Sequence, residues 1–462
     1  MEISEKCGIF GVFGSGFEAA RLVHPGLWAL QHRGQESSGI ASTDGKTIMV
    51  HKRMGLVASV YKEADFEKLL GESAIGHNRY ATSKGSNIRH AQPIVAGSGL
   101  FALAHNGNLP ETTKLEAFLK QNGVTKNGKN DSEMIVAALD VYMGQGKSMS
   151  DAIKSAYPLF TGAFCLLIMT KDALIAVRDA KGIRPLSLGK LNGGYIVASE
   201  TCALATVHAA FIRDVAPGEM IVIDKKGLHQ EQIVAGEQRL DIFEFVYFAR
   251  PDSDLLGQSV YEVRKRLGKY LWEENPVEAD VVVPVPDSAF PAAIGFSQAS
   301  GIPLEEGLVK NRYIHRTFIR PEQHLRQKDL EVKLNALPVV VAGKRVVVID
   351  DSIVRGTTSG KIVQMLRDAG AKKVYLMSTS PPVKFPDFYG IDTPDQRKLI
   401  AAWKNLKEIQ EFTGADGLYY LSYRNLIKAM NLPESMFSTS CFTGIYPIDI
   451  GKRKKEINAP KW

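Results

Sequence analysis

Cysteine is scarce in this chain. Only Cys7, Cys165, Cys202 and Cys441 occur in 462 residues, and no two are spaced Cys-x-x-Cys. That spacing excludes a zinc ribbon and gives no basis for a disulfide framework. Long apolar runs are missing too. None reaches the roughly 18 residues that cross a bilayer, and Met1–Lys6 is too short and too polar for a secretory signal. A cytoplasmic protein with no membrane partner is expected. There is no aromatic-basic module, so the net charge of +7 does not call for a nucleic-acid partner. It reads as a mildly basic surface or as a pull on anionic substrates. The run Gly451–Lys455 reads as a solvated basic end. Internal repeats and low-complexity tracts are absent.

The length fits two large domains or three small ones. From Cys7 to about Val234 short β-type segments dominate: 7–13, 74–80, 100–104, 163–169, 173–178, 195–199 and 220–223. Helical patterns interrupt them over 17–31 and 131–143. This predicts a layered α+β domain over 7–235. Residues 233–240 are weakly periodic and read as a link. From about Asp241 strands alternate with helices: strands over 279–285, 344–349 and 373–378, helices over 290–300 and 358–369. That alternation predicts a doubly wound parallel sheet over 236–462. The polar, basic stretch 311–334 carries little strand or helix signal, and a loop of that length is usually a functional lid or a disordered segment.

Cys7 opens the run Cys-Gly-Ile-Phe-Gly11. A lone cysteine is most often a small buried hydrophobe. If residues 1–6 are removed, however, Cys7 carries both a thiol and a free α-amine. The amine, with a pKa near ~7.7–8.0, is then a base beside its own nucleophile. Cleaving glutamine also requires a clamp for its carboxylate, an anion for its ammonium and donors for the oxyanion. Arg79, after an apolar strand, supplies a two-pronged clamp. Asn106 and the amide of Gly107, in the segment His105–Asn108 placed after the strand 100–104, can aim at one oxygen. Asp131 reads as a helix cap, a first-turn acid or the ammonium partner.

Taken in order, Cys7–Gly11, Leu30–Ser37, Gly76–Tyr80, His105–Asn108 and Asp131–Glu133 resemble the glutaminase domain of the N-terminal-nucleophile amidotransferases. The resemblance implies an αββα sandwich with Cys7 as nucleophile, Asn106 and Gly107 as oxyanion hole, and Arg79 and Asp131 binding glutamine. Arg33 and Gly34 would line the wall of the glutamine pocket, or simply turn the chain after a helix.

In the second half, Arg345–Ile349 is a buried-strand run ending in Asp350-Asp351. Two carboxylates there are costly unless they meet cations or hydroxyls. Ser352–Ser359 then turns into a helix, a small hydroxyl-rich loop suited to phosphate. A P-loop reading fails: Gly356–Ile362 has one residue too few between glycines and Ile where Ser or Thr should stand. Residues 346–359 resemble the type I phosphoribosyltransferase signature. That resemblance implies ribose and Mg²⁺ contacts from Asp350 and Asp351, and a 5′-phosphate cradle from Ser352, Ile353, Val354, Arg355, Gly356, Thr357 and Thr358. It makes Val283–Ser288 a diphosphate loop with Ser288 near the metal, although Ala289 stands where the family usually has Gly. The stretch 311–333 resembles the family's mobile loop, with Lys333 on the substrate and Tyr313 and Ile319 closing over it.

Joined in this order, with Phe245–Ser253 and Cys441–Pro447 adding to the match, the two halves resemble the amidophosphoribosyltransferase family. The resemblance implies glutamine and phosphoribosyl diphosphate as substrates, purine nucleotides as feedback inhibitors and a homo-oligomer, tetramer or dimer. One branch of that family holds a four-cysteine iron–sulfur cluster. Here its ligand positions read Asp241, Asp387, Ser438 and Cys441, so no cluster is expected. The alternatives are another glutamine amidotransferase, which would share the first half only, and a phosphoribosyl diphosphate-sensing regulator, which would share the second.

Overall fold

The computed structural model describes residues 7–80, 87–125, 128–311, 334–390 and 395–461. The stretch 312–333, with Tyr313, Ile319 and Lys333, lies outside the described residues, as does the leader 1–6.

The first half is built on two stacked antiparallel sheets. One has seven strands, in spatial order Ala210–Asp214, Ser187–Leu191, Gly194–Ala198, Gly8–Gly14, Ser73–Arg79, Ser37–Thr43 and Ile48–Met54. The other has six: Gly227–Gln232, Glu219–Asp224, Ala173–Arg178, Thr161–Thr170, Phe101–Glu111 and Ile94–Val95. Alternation along the strands decides the layering. Ile9 faces the second sheet with Ala41, Ile75, Ala102, Ala104 and Ala176. Leu167, Met169, Leu174, Leu188 and Ile221 fill the same layer, so it is a packed apolar interior. Phe10 and Val12 point the other way, onto the helix Ala19–Ala29. Phe101 and Leu103 point outward onto the helices Thr113–Gln121, Asp131–Gly144 and Met149–Ala156. The result is an αββα sandwich.

The second half centres on four parallel strands in the order Val281–Pro284, Arg345–Asp350, Lys373–Ser378 and Gly417–Tyr420. Val283, Val348 and Leu376 stand side by side in register, and each is buried. Apolar side chains on both faces require helices on both, as parallel sheets generally do. The helices Val260–Glu274, Phe290–Ser300, Thr357–Asp368 and Leu406–Thr413 supply them.

Three sequence expectations need correction. The strand expected to end at 104 runs on to Glu111, so His105, Asn106, Gly107 and Asn108 lie within it and pair with Leu166, Cys165, Phe164 and Ala163. Pairing with an apolar central neighbour outweighs the weak strand preference of Asn and Gly. The helices Thr113–Gln121, Met149–Ala156 and Thr201–Thr206 join the two expected in the first half. In the second, Val260–Glu274, Leu406–Thr413 and Tyr423–Met430 were not anticipated. Among the described residues no helix is long and apolar enough to cross a membrane.

Candidate active sites

Cys7 sits at the mouth of the strand Gly8–Gly14, next to Gly8, which pairs with Asn78 of the strand that ends in Arg79. Burial raises the thiol above its ordinary pKa. The Tyr80 backbone and the Arg79 guanidinium oppose this, while Asp131 and Glu36 add to it. Arg79 and Asp131, both expected here, are thus close enough to act on the sulfur, and the thiol stays protonated at neutral pH unless a base takes its proton.

Each partner is held by its own element. Arg79 donates to Glu36 Oε2 at 2.7 Å, with both side chains largely buried. The other Glu36 oxygen is buried without a hydrogen-bond partner. Glu36 is the orienting residue that sequence reasoning passed over. It lay inside the Leu30–Ser37 motif, but nothing in one sequence says that its strand runs beside Arg79. Asp131 begins the helix Asp131–Gly144, behind a capping box made by Asn130 and Glu133. Its carboxylate accepts from the Leu109 and Ser132 amides at 3.2 and 2.9 Å. Asn106 is fully buried and donates across the sandwich to Ser199 Oγ, which also receives the amide of Ile9, two residues from Cys7. Gly107 has φ +154°, and a Cβ there would stand 2.0 Å from the Ala163 carbonyl oxygen. Gly107→Ala should cost about 2–4 kcal/mol of stability through that clash and lose glutamine cleavage well before ammonia-dependent turnover. Thermal melts and the two assays would check this, and a variant equal to the parent in both would contradict the placement.

Arg33 stands in the turn after the helix Ala19–Ala29, one of the two readings its motif left open, and close to Cys7. It is buried in the three-residue turn Gln31–Arg33 and bonds Glu200 and Glu244, with Glu244 Oε1 at 2.7 Å. Burial opposes its charge, but Glu244 and Glu200 outweigh that and hold the guanidinium above its ordinary pKa. Its Nε also lies 3.4 Å from the Cys7 carbonyl oxygen.

At the second site, the parallel register puts Pro284 beside Ile349, and the Val285 amide donates to the Ile349 carbonyl at 2.8 Å. This brings the loop Val285–Ser288 over Asp350-Asp351. Ser288 Oγ donates to Asp351 Oδ2 at 2.5 Å and Ser352 Oγ to Asp351 Oδ1 at 2.8 Å. Asp350 and Asp351 are nearly inaccessible. Burial pushes both carboxyls upward; Asp351 adds to the rise at Asp350, while the serine hydroxyls restrain it at Asp351. Two hard carboxylate donors with a hydroxyl beside them fit Mg²⁺. Gly356 adopts φ +77° at the head of the helix Thr357–Asp368. Ile353 and Val354 are buried, so the loop can offer phosphate their amides rather than their side chains. Arg355 and Thr357 are exposed, and Thr358 follows in the first helical turn.

The four positions compared with cluster ligands do converge. Asp241 pairs with Ser438 between two short parallel strands, and Ser440 reaches Asp387 at 3.4 Å. Burial raises the Cys441 thiol, and the Asp241 and Asp387 charges add to it. Burial also holds the Asp241 carboxyl well above its usual range; Arg184 opposes and Asp387 reinforces this. Such a group contributes stability below its unfolded pKa, near ~3.9, and loses it as pH rises through the folded value. Asp241→Asn, which cannot ionise, should therefore compare more favourably with the parent at pH 9 than at pH 6 in thermal melts. A penalty that grows with pH would contradict the assignment.

Comparison with known proteins agrees with this geometry. Residues 77–206 match the family described as "Glutamine amidotransferase domain". The amidophosphoribosyltransferase of Synechococcus elongatus is 47% identical over 98% of this chain and 93% of its own. That of Bacillus subtilis is 45% identical over 97% and 95%. The solved structure of the B. subtilis glutamine phosphoribosylpyrophosphate amidotransferase, complexed with ADP and GMP, superposes with a TM-score of 0.89 at 43% identity, over 96% of this chain and 98% of that one. With identity of this order along nearly its whole length, the chain belongs to the amidophosphoribosyltransferase family.

Proposed function

We propose that the chain transfers the amide nitrogen of glutamine to 5-phosphoribosyl 1-diphosphate, yielding 5-phosphoribosylamine, glutamate and diphosphate, the first committed step of purine synthesis. The observation that carries this reading is the presence, in one chain, of Cys7 set among Arg79, Glu36 and Asp131 and of the buried pair Asp350-Asp351 capped by Ser288.

Removal of residues 1–6 frees the Cys7 α-amine. Because burial keeps the thiol protonated, that amine takes its proton as the sulfur attacks the glutamine carboxamide. The Asn106 side chain and the Gly107 amide receive the oxyanion. Arg79, oriented by Glu36, holds the α-carboxylate, and Asp131 holds the α-ammonium. Ammonia leaves with the proton, and water then clears the glutamyl thioester.

At the second site Asp350 and Asp351 accept the ribose hydroxyls, and Ser352 to Thr358 enclose the 5′-phosphate. Lys333, outside the described residues, is proposed as a further contact to this substrate. Asp350, Asp351 and Ser288 would hold Mg²⁺, which neutralises charge growing on the departing diphosphate. Ammonia attacks C1 as that bond breaks, and exclusion of water keeps hydrolysis from competing. We further propose purine nucleotides as feedback ligands, on the ground that the B. subtilis relative is complexed with ADP and GMP, and a homo-oligomeric assembly.

Intact mass and N-terminal sequencing of the active protein test the first step. The expected polypeptide starts at Cys7 and carries one alkyl group there after treatment with iodoacetamide. Full glutamine-dependent activity from a chain still starting at Met1 would overturn it.

A further inference from the structure

Side chains alternate along the strand Phe101–Glu111, and Asn106 falls on its inner face with Ala102 and Ala104, between the two sheets of the sandwich. Across from it stands Ser199. That residue follows the strand Gly194–Ala198, which pairs with the strand Gly8–Gly14 that Cys7 leads into. Asn106 and Ser199 are both wholly inaccessible. The Ser199 hydroxyl oxygen receives the Ile9 amide at 3.0 Å and Asn106 Nδ2 at 3.4 Å, and the Ser199 amide donates back to the Ile9 carbonyl at 3.0 Å.

This pair leaves two polar groups unsatisfied. Ser199 Oγ takes two N–H donors, while among the described residues no acceptor is bonded to its own proton. Asn106 Oδ1 is buried with no hydrogen-bond partner among them. Buried polar atoms left unbonded are unfavourable and rare. The arrangement also opposes the chemistry: a carboxamide that gives its N–H to serine offers an oxyanion a carbonyl, which repels it. Half a turn of the carboxamide removes both defects. Its oxygen and nitrogen exchange places within nearly the same volume. The Ser199 hydroxyl then donates to Oδ1, and Nδ2 stands free where the unpartnered oxygen was.

We propose that Ser199 is a positioning residue of the oxyanion hole, its hydroxyl holding the Asn106 carboxamide with the N–H turned toward the oxyanion that forms as Cys7 attacks. The inference rests on the reading of Asn106 as an oxyanion donor and deepens it. The amide turned toward serine is the resting setting, and charge growing on the glutamine oxygen favours the other. The contact, slack at 3.4 Å, tightens there, as catalytic hydrogen bonds do once substrate is engaged. Because Ser199 also holds the Ile9 amide, one side chain sets the nucleophile's strand and the oxyanion donor together.

The test uses the mature full-length chain, Ser199→Ala, Asn106→Ala and the double variant. Four quantities are read for each: kcat and KM for glutamine with phosphoribosyl diphosphate and magnesium present, ammonia-dependent turnover, and the thermal midpoint. Asn106→Ala should lower kcat about 100- to 1000-fold, the usual loss for one oxyanion donor. Ser199→Ala should lower it about 10- to 100-fold with KM within about twofold of the parent, since a group felt only in the transition state changes kcat and kcat/KM alike. Ammonia-dependent turnover should persist in all three. The double variant should stay within about threefold of Asn106→Ala, because without the carboxamide Ser199 has nothing to orient.

Losses that multiply in the double variant, or a Ser199→Ala loss shared by ammonia-dependent turnover, make the residue structural and overturn the proposal. So does a parent-like kcat in the folded serine variant. Should Ser199→Ala fail to fold for want of an acceptor for the Ile9 amide, Ser199→Cys, whose thiol is a weak donor and a weak acceptor, takes its place in the same cycle. If Asn106→Ala cleaves glutamine at the parent's rate, the oxyanion reading of Asn106 fails and this inference with it. If Asn106→Ala is impaired and the folded serine variant is not, only this inference falls.

Discussion

Replacing Cys7 with alanine should reduce glutamine-dependent phosphoribosylamine formation by at least about a thousandfold, since removing the attacking atom leaves only binding and the oxyanion donors. Turnover with ammonium salts should survive, because that route needs nothing from the sandwich beyond its fold. The thermal midpoint should hardly move, because Cys7 is partly exposed and its side chain is small. Cys7→Ser separates the atom from its proton. A serine hydroxyl has the same shape but is a poorer nucleophile, and it should behave like alanine. Rates with the two nitrogen sources, measured side by side, decide the matter. Equal losses with both would place Cys7 in the structure rather than in the chemistry. Burial raises the thiol pKa against the pull of Tyr80 and Arg79, so in the mature form glutamine cleavage should also fall as pH drops and the α-amine takes up its own proton.

Asp351→Asn should act on the other half. Loss of a buried, positioned carboxylate at the ribose should lower phosphoribosylamine formation about a hundredfold or more with either nitrogen source, the scale of removing one preorganised electrostatic group. Stability should move the opposite way. Burial raises the Asp351 carboxyl above its unfolded value. Its contribution is therefore complete below the unfolded pKa and lost as pH rises through the folded one. Without ligand at pH 8, the asparagine variant should melt at or above the parent. Adding magnesium with phosphoribosyl diphosphate should raise the parent's midpoint by binding the native state alone, and raise the variant's far less. Omitting magnesium should remove most of the parent's gain. A variant that is active but markedly less stable would invert the account of this pair.

The halves of the fold were unequally legible in the sequence. The helix 290–300 and the strand 373–378 match the structure residue for residue. In each, a strong apolar pattern is bounded by Pro, Gly or Ser, and nothing distant is needed to define it. The strand Phe101–Glu111 was cut short because Asn106 and Gly107 disfavour strands locally. Only its pairing with the strand Thr161–Thr170, a matter of tertiary structure, carries it onward. The helix Val260–Glu274 was missed because charged residues interrupt its apolar face. Arg264 sits there as a buried residue, where a surface arginine would be expected.

The candidate sites were legible wherever chemistry follows from residue type at short spacing. Asp350-Asp351 followed by Ser352 announces itself, and so does Cys7 before an apolar strand. The two acidic partners of Arg33 were not legible, because they stand 167 and 211 residues away. Glu36 was passed over because its tie to Arg79 depends on strand order. One sequence carries no sign of either pairing.

The account stands on one chain releasing ammonia at Cys7 and consuming it at the ribose without losing it to solvent. The direct measurement supplies glutamine labelled with ¹⁵N in its amide, phosphoribosyl diphosphate and magnesium, in the presence of excess unlabelled ammonium at neutral pH, and reads the isotope in phosphoribosylamine. The account predicts product carrying nearly undiluted label, formed one for one with glutamate and diphosphate. Label diluted to the solvent ratio, or glutamate formed without diphosphate, would contradict it.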